Sequence, residues 1–143
     1  MTNYKSKTLA TWAALLGGAF GAHRFYLRGL GDLLGWLHAI PTLAGLYGIQ
    51  RMDVLGQDDR LAWVLMPLLG LMLFQAMAHA VYFGLTSDER WNARYNPGKE
   101  PRATRWGPII AVILAVAIGG ICLMSTIAFT AQRYFETEAE NGG

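Results

Sequence analysis

The sequence predicts an all-α polytopic membrane protein with four transmembrane helices arranged as two hairpins. Three observations predict it. Four apolar stretches, residues 9–22, 30–49, 61–85 and 107–131, fill most of the 143-residue chain. Apolar residues make up 53% of the sequence and charged residues only 15%, and the charges collect in the gaps between stretches. The last two stretches are apolar nearly all round, whereas a surface helix of a soluble domain carries one apolar stripe. Hydrocarbon offers a bare backbone no hydrogen-bond partner, so such segments cross a bilayer as helices.

Taken in order, the first stretch follows Lys5 and Lys7 and is short: about 14 residues reach only about 21 Å. A basic flank, an apolar run and the small residues 19–22 also resemble a signal peptide with its cleavage site. The segment His23-Arg24-Phe25-Tyr26 that follows reads better as a tight surface turn feeding a second span. That second stretch, about 20 residues, is just long enough to cross. Residues 51–60, with Asp53, Asp58 and Asp59, connect it to the second hairpin. The third and fourth stretches, about 25 residues each, reach about 37 Å and can cross with tilt. Between them, residues 86–106 carry five basic residues and a turn signal at Asn96-Pro97-Gly98. After Gln132 the chain turns acidic, with Glu136, Glu138 and Glu140, and is expected to fray through Gly143. Two units follow: a hairpin over 1–57 and a second hairpin with its tail over 58–143. No internal repeat is evident between them.

A net charge of +2 gives no reason to expect nucleic acid as a partner. Cys122 stands alone, so no intramolecular disulfide is expected. Four spans put the N-terminus, the middle connector and the tail on one side with five Lys and Arg. The two hairpin loops fall on the other side with seven. The positive-inside rule then makes the hairpin loops cytoplasmic and both termini external.

The first turn has a recognisable composition: Gly17-Gly18, then Gly21-Ala22-His23-Arg24-Phe25-Tyr26-Leu27, with Asp53 just past the second stretch. Over residues 5–53 the chain resembles the two-transmembrane (TM-2) domain family. That family has a basic flank, a glycine-ended first helix, a Gly-x-His-Arg-Phe-Tyr-Leu turn, a second helix and a following acid. Arg28 departs from the pattern, where family members often have glycine. The resemblance implies a small membrane protein without catalytic activity, placed in the bacterial cytoplasmic (inner) membrane. Physically, the glycines allow a helix to end and backbones to approach. Phe25 and Tyr26 suit the interfacial belt, and Arg24 can reach lipid phosphates. The motif therefore reads as an interfacial turn, or else as a docking surface for a partner protein.

Inside the stretches, Gly31, Gly35, His38, Thr42 and Gly45 share one helical face, as do Gln75, His79 and Tyr82. Ala111, Ala115, Gly119, Cys122 and Thr126 form a small-residue stripe suited to close helix packing in lipid. Intramembrane histidines call for a functional check, because two could ligate a haem. His38 and His79 differ in depth by about 9 Å, which favours a His38–Gln75 hydrogen bond instead. Asp32 is expected to serve as a helix N-terminal charge or as a partner of Arg28. The sequence contains no metal-ligand spacing, no nucleophile–base pair and no phosphate loop. No catalytic residue, cofactor or metal is therefore expected. The function expected is that of a structural or protein-interaction component in the lipid bilayer, with an unknown membrane partner or a second copy. The rival is an oligomeric small transporter or channel subunit built on the polar stripes of the second and third spans.

Overall fold

The computed structural model describes residues 4–142, and among them the secondary structure is all helical. The elements are α1 (Lys7–Gly17), a 3-10 turn (Gly18–Phe20), α2 (Ala22–Arg28), α3 (Leu33–Leu55), α4 (Arg60–Leu85), α5 (Asp88–Tyr95) and α6 (Gly107–Asn141). Two helices are long and apolar enough to cross a bilayer: α4, and α6 over Gly107–Glu140.

Four spans are not what this chain builds, and the glycines show why. At 11 residues, α1 is only about 16 Å long. It starts level with the end of α4, where Lys7 Nζ donates to the Thr86 carbonyl at 2.9 Å. It ends halfway along α4, where Gly18 packs on Ala76. Gly21 then takes φ +80°, and a Cβ there would lie 2.4 Å from the Gly35 carbonyl oxygen. Only glycine meets both demands. The chain reverses, and α2 climbs back to its starting level. There Lys5 Nζ donates to the Tyr26 carbonyl and the Ser6 amide donates to the Tyr26 hydroxyl, both at 2.7 Å. The first stretch doubles back, so that both of its ends lie beside the end of α4.

Helices α3 and α6 run antiparallel to α4, on different sides of it. Gly45 and Gly48 of α3 meet Leu69 and Leu65 of α4. On α6, Gly119 meets Met77 and Thr126 meets Gly70, so the small stripe faces α4 as its spacing requires. The core is small-residued and draws on both halves of the sequence: Ala10 and Ala14 with Ala76, Ala80, Ala111 and Ala115, closed by Met77 and Phe83.

Residues 4–7 therefore lie at the same end as residues 29–32 and 86–106, not opposite them. Lys7 pairs with Asp88 at 2.5 Å. Trp91 Nε1 donates to the Lys5 carbonyl at 2.8 Å, and Asn96 brackets Lys5 by accepting from its amide and donating to its carbonyl. These contacts come from α5, a helix hidden in what reads as a polar linker. Ser87 caps it, accepting from the Arg90 amide, and Asp88 and Glu89 occupy its first turn. Of the twelve Lys and Arg, only Arg51, Arg60 and Arg133 lie at the opposite end, replacing the seven-to-five split by nine to three.

The tail is also more ordered than its composition suggests. Helix α6 continues past Gln132 to Asn141, with Arg133 paired to Glu136 and stacked 4.8 Å over the Trp63 ring. The expected fraying at Gly143 lies outside the described residues.

A repeat is present after all. The pattern Arg-x4-Gly-x2-Asp-x3-Trp occurs as Arg24, Gly29, Asp32, Trp36 and again as Arg51, Gly56, Asp59, Trp63. Both copies build the same turn. The arginine Nε donates to the aspartate at 2.6 and 2.7 Å, and the second nitrogen at 3.3 and 2.9 Å. The glycines have φ +89° and +90°. Each tryptophan indole donates back to a turn carbonyl, Leu30 and Gln57, respectively. Asp32 thus pairs with Arg24 rather than primarily with Arg28, at the N-cap position of α3.

Candidate functional site: a buried histidine beside a basic pocket

Because α2 begins immediately after the Gly21 reversal, its first turn carries His23 inward against α4. His23 is 1% exposed. It lies inside the molecule rather than on an exposed turn. Its ring centroid lies 4.7 Å from that of His79, 5.7 Å from His38 and 5.7 Å from Phe83. Neither His23 nitrogen has a hydrogen-bond partner, an uncommon state for a buried polar side chain.

Its neighbours are satisfied. His38 Nδ1 lies 2.5 Å from the Leu34 carbonyl, which can only accept, so this nitrogen carries the proton. The free lone pair at His38 Nε2 accepts from Gln75 Nε2 at 3.2 Å. His38 and Gln75 thus form the hydrogen bond that their similar depths predict. His79 Nδ1 donates in turn to the Gln75 carbonyl at 2.9 Å. Thr42 shares its hydroxyl proton between the Ala19 and His38 carbonyls, at 2.6 and 2.9 Å, pinning the 3-10 turn to the middle of α3. Among the described residues, no group of three or more His, Cys, Asp or Glu is arranged to hold a metal ion.

The remaining motif residues divide their work. Gly17 and Gly18 sit at the reversal. Phe25 lies over Gly35, with its ring 5.0 Å from that of Trp36. Tyr26 ties α2 to the N-terminal segment, and Arg24 forks onto Asp32. Asp53 is exposed near the end of α3, at the opposite end from the histidines.

Between α2, the last turns of α4 and α5 lies a pocket of about 150 Å³. His23 and His79 line its floor side, and Arg24, Arg28, Tyr82 and Arg94 line it toward the basic end of the molecule. No carboxylate lines it. Arg94 reaches across to the Tyr82 hydroxyl at 3.4 Å and lies 5.6 Å over the Tyr95 ring. Sequence reading missed this pocket for two reasons. It placed His23 and Arg24 in an exposed turn, and it had no helix to carry Arg94.

No protein-family model matches the chain, and none of the curated proteins or solved structures matches it. The TM-2 resemblance accordingly rests on the motif between Gly17 and Asp53 itself.

Proposed function

We propose that this is an integral membrane protein that crosses the bilayer through α3, α4 and α6, dips into it through the α1–α2 hairpin, and acts without catalysis as a structural or protein-interaction component. Matched turns support α3 as a crossing. Asp32 and Arg51 bound a segment about 28 Å long, close to the roughly 30 Å of hydrocarbon. On α4, Trp63 and Tyr82 are separated by the same number of residues, at positions suited to the two aromatic belts. The nine-to-three division of basic residues favours a cytoplasmic N-terminus with cytoplasmic 29–32 and 86–106 segments, and an external acidic tail. Lys5 and Lys7 now side with the majority. The TM-2 resemblance is consistent with such a role and, in bacteria, with the cytoplasmic membrane.

One observation carries the choice between scaffold and conduit. The polar and small faces are spent on internal contacts: Gly35 against Phe25, Thr42 against Ala19, Gly45 and Gly48 against α4, and Gln75 against His38. A transporter needs such a face wet. Cysteines at Thr42 and Gln75, in a Cys122→Ser background, are expected to resist membrane-impermeant thiol reagents from both sides, while one at Gly98 labels from the cytoplasmic side. Labelling of both Thr42 and Gln75 positions in intact vesicles would overturn the scaffold reading and favour the conduit.

A further inference from the structure

We infer that the pocket between α2, α4 and α5 binds a phosphate group, presented by an anionic lipid headgroup or by a soluble phosphate ester. The inference rests on the membrane reading only for the pocket's position at headgroup level, which Tyr82 marks. The chemistry comes from the lining. Three guanidiniums converge from two separate helices, Arg24 and Arg28 from α2 and Arg94 from α5, and no carboxylate lines the pocket to neutralise them. Outside the lining, Asp32 forks onto Arg24 and acts on Arg28 at longer range, and no carboxylate is paired with Arg94 among the described ion pairs. Concentrating like charge in one recess costs energy unless an anion occupies it. Planar guanidiniums recognise phosphate oxygens with paired hydrogen bonds.

The deeper wall adds a second, independent sign. His23 is buried with both nitrogens unpartnered, and it lines the same recess as His79 and the Tyr82 hydroxyl. A buried imidazole is left unsatisfied only at a cost. A bound oxyanion, or the water it holds, supplies the missing partner. At about 150 Å³ the recess has room for a tetrahedral oxyanion. Basic recesses at the cytoplasmic ends of membrane helices hold anionic headgroups on the same principle.

The test uses the purified full chain in neutral detergent, with a fluorescent short-chain phosphatidic acid followed by anisotropy and inorganic phosphate as competitor. Arg28 and Arg94 are exposed side chains, so Arg28→Gln and Arg94→Gln should fold, as unchanged thermal midpoints would show. Each is expected to weaken binding about tenfold, the loss of one charge-assisted contact. Arg105→Gln removes the same charge at the same end but outside the pocket, and should change binding by less than about twofold. Competition by inorganic phosphate would support a site that takes soluble phosphate esters. Saturable lipid binding that phosphate does not displace would support the headgroup as the source. Absence of saturable binding of either probe, or an equal loss in Arg105→Gln, would overturn the inference. The assay needs no bilayer, so its failure is distinct from failure of the thiol-labelling pattern.

Discussion

The turn between α2 and α3 and the turn between α3 and α4 are two copies of one device set in different surroundings. Each uses an arginine from the preceding helix, a glycine at φ near +90°, an aspartate at the next N-cap position and a tryptophan one turn further on. The arginine fork closes both. What differs is the company. The α3–α4 turn caps three helices and little else. The α2–α3 turn sits beside a folded-back hairpin, a cluster of three imidazoles and a basic pocket. Of the fully buried apolar residues, all but Ala62 lie in that second half of the molecule. A local turn is thus specified by four residues wherever it occurs, and the distinct end of this protein is specified by what precedes it, the glycines and His23.

The largest expected effect tests that claim. Gly21→Ala combines a left-handed backbone with a collision against the Gly35 carbonyl. It should destabilise the fold by about 3 kcal/mol or more, measured by denaturation in detergent. Gly29→Ala and Gly56→Ala meet no atom within 4 Å. Both have ψ near 180°, at 172° and 178°, so each carries backbone strain alone, about 2 kcal/mol, and the two should match. If Gly21→Ala cost no more than these, the hairpin reversal would not be the organising feature of its end.

How much of this was legible in the sequence follows from which signals are local. Helices α4 and α6, and the face by which Ala111, Ala115 and Gly119 pack, could be read from composition and spacing. So could the Asn96-Pro97-Gly98 turn and the His38–Gln75 pair. The folding-back of α1 could not, because apolarity alone does not say whether a chain crosses or reverses. The signal was there in a stretch reaching only about 21 Å, too short for a roughly 30 Å core, followed by clustered glycines. Ser87-Asp88-Glu89 was a helix start that went unread inside a basic linker. The repeat is confined to the two turns and does not extend over the hairpins that flank them. At an offset of 27 residues it is plain. The convergence of His23 with His79, and of Arg24 with Arg94, is tertiary and has no sequence signature.

Acid should weaken both turns together. Hydrogen bonds from Arg24 and Arg51 hold the Asp32 and Asp59 carboxyls below the usual carboxylate range. A depressed carboxylate contributes stability that is present above its unfolded value, near 3.9, and is lost as pH falls through the folded value. Thermal midpoints should therefore fall between about pH 5 and pH 3. Asp32→Asn and Asp59→Asn should each reduce that fall by a similar amount. A pH response in which Asp59→Asn accounts for nearly all of the loss would show that the Arg24 fork is not doing at its end what the Arg51 fork does at the other.

The smallest effect is the most discriminating. Arg24→Lys and Arg51→Lys each keep a positive charge opposite an aspartate but lose the fork, since an ammonium cannot offer two parallel donors in a plane. Both forks are partly solvated, so each change should lower the thermal midpoint in detergent only slightly. A contact between Arg24 and lipid phosphate would make Arg24→Lys mild for a different reason, since either side chain can snorkel to the headgroups. The two reasons separate by experiment. If the Asp32 fork governs Arg24, the double variants Arg24→Lys with Asp32→Asn and Arg51→Lys with Asp59→Asn should show equal coupling between their members. If phosphate governs it, Arg24→Lys should be additive with Asp32→Asn, while Arg51→Lys and Asp59→Asn remain coupled. We expect equal coupling, because the Asp32 fork matches the Asp59 fork in its donors and in the length of its shorter bond. Loss of that equality would mean that the two turns, alike in backbone and bonds, are held closed by different partners.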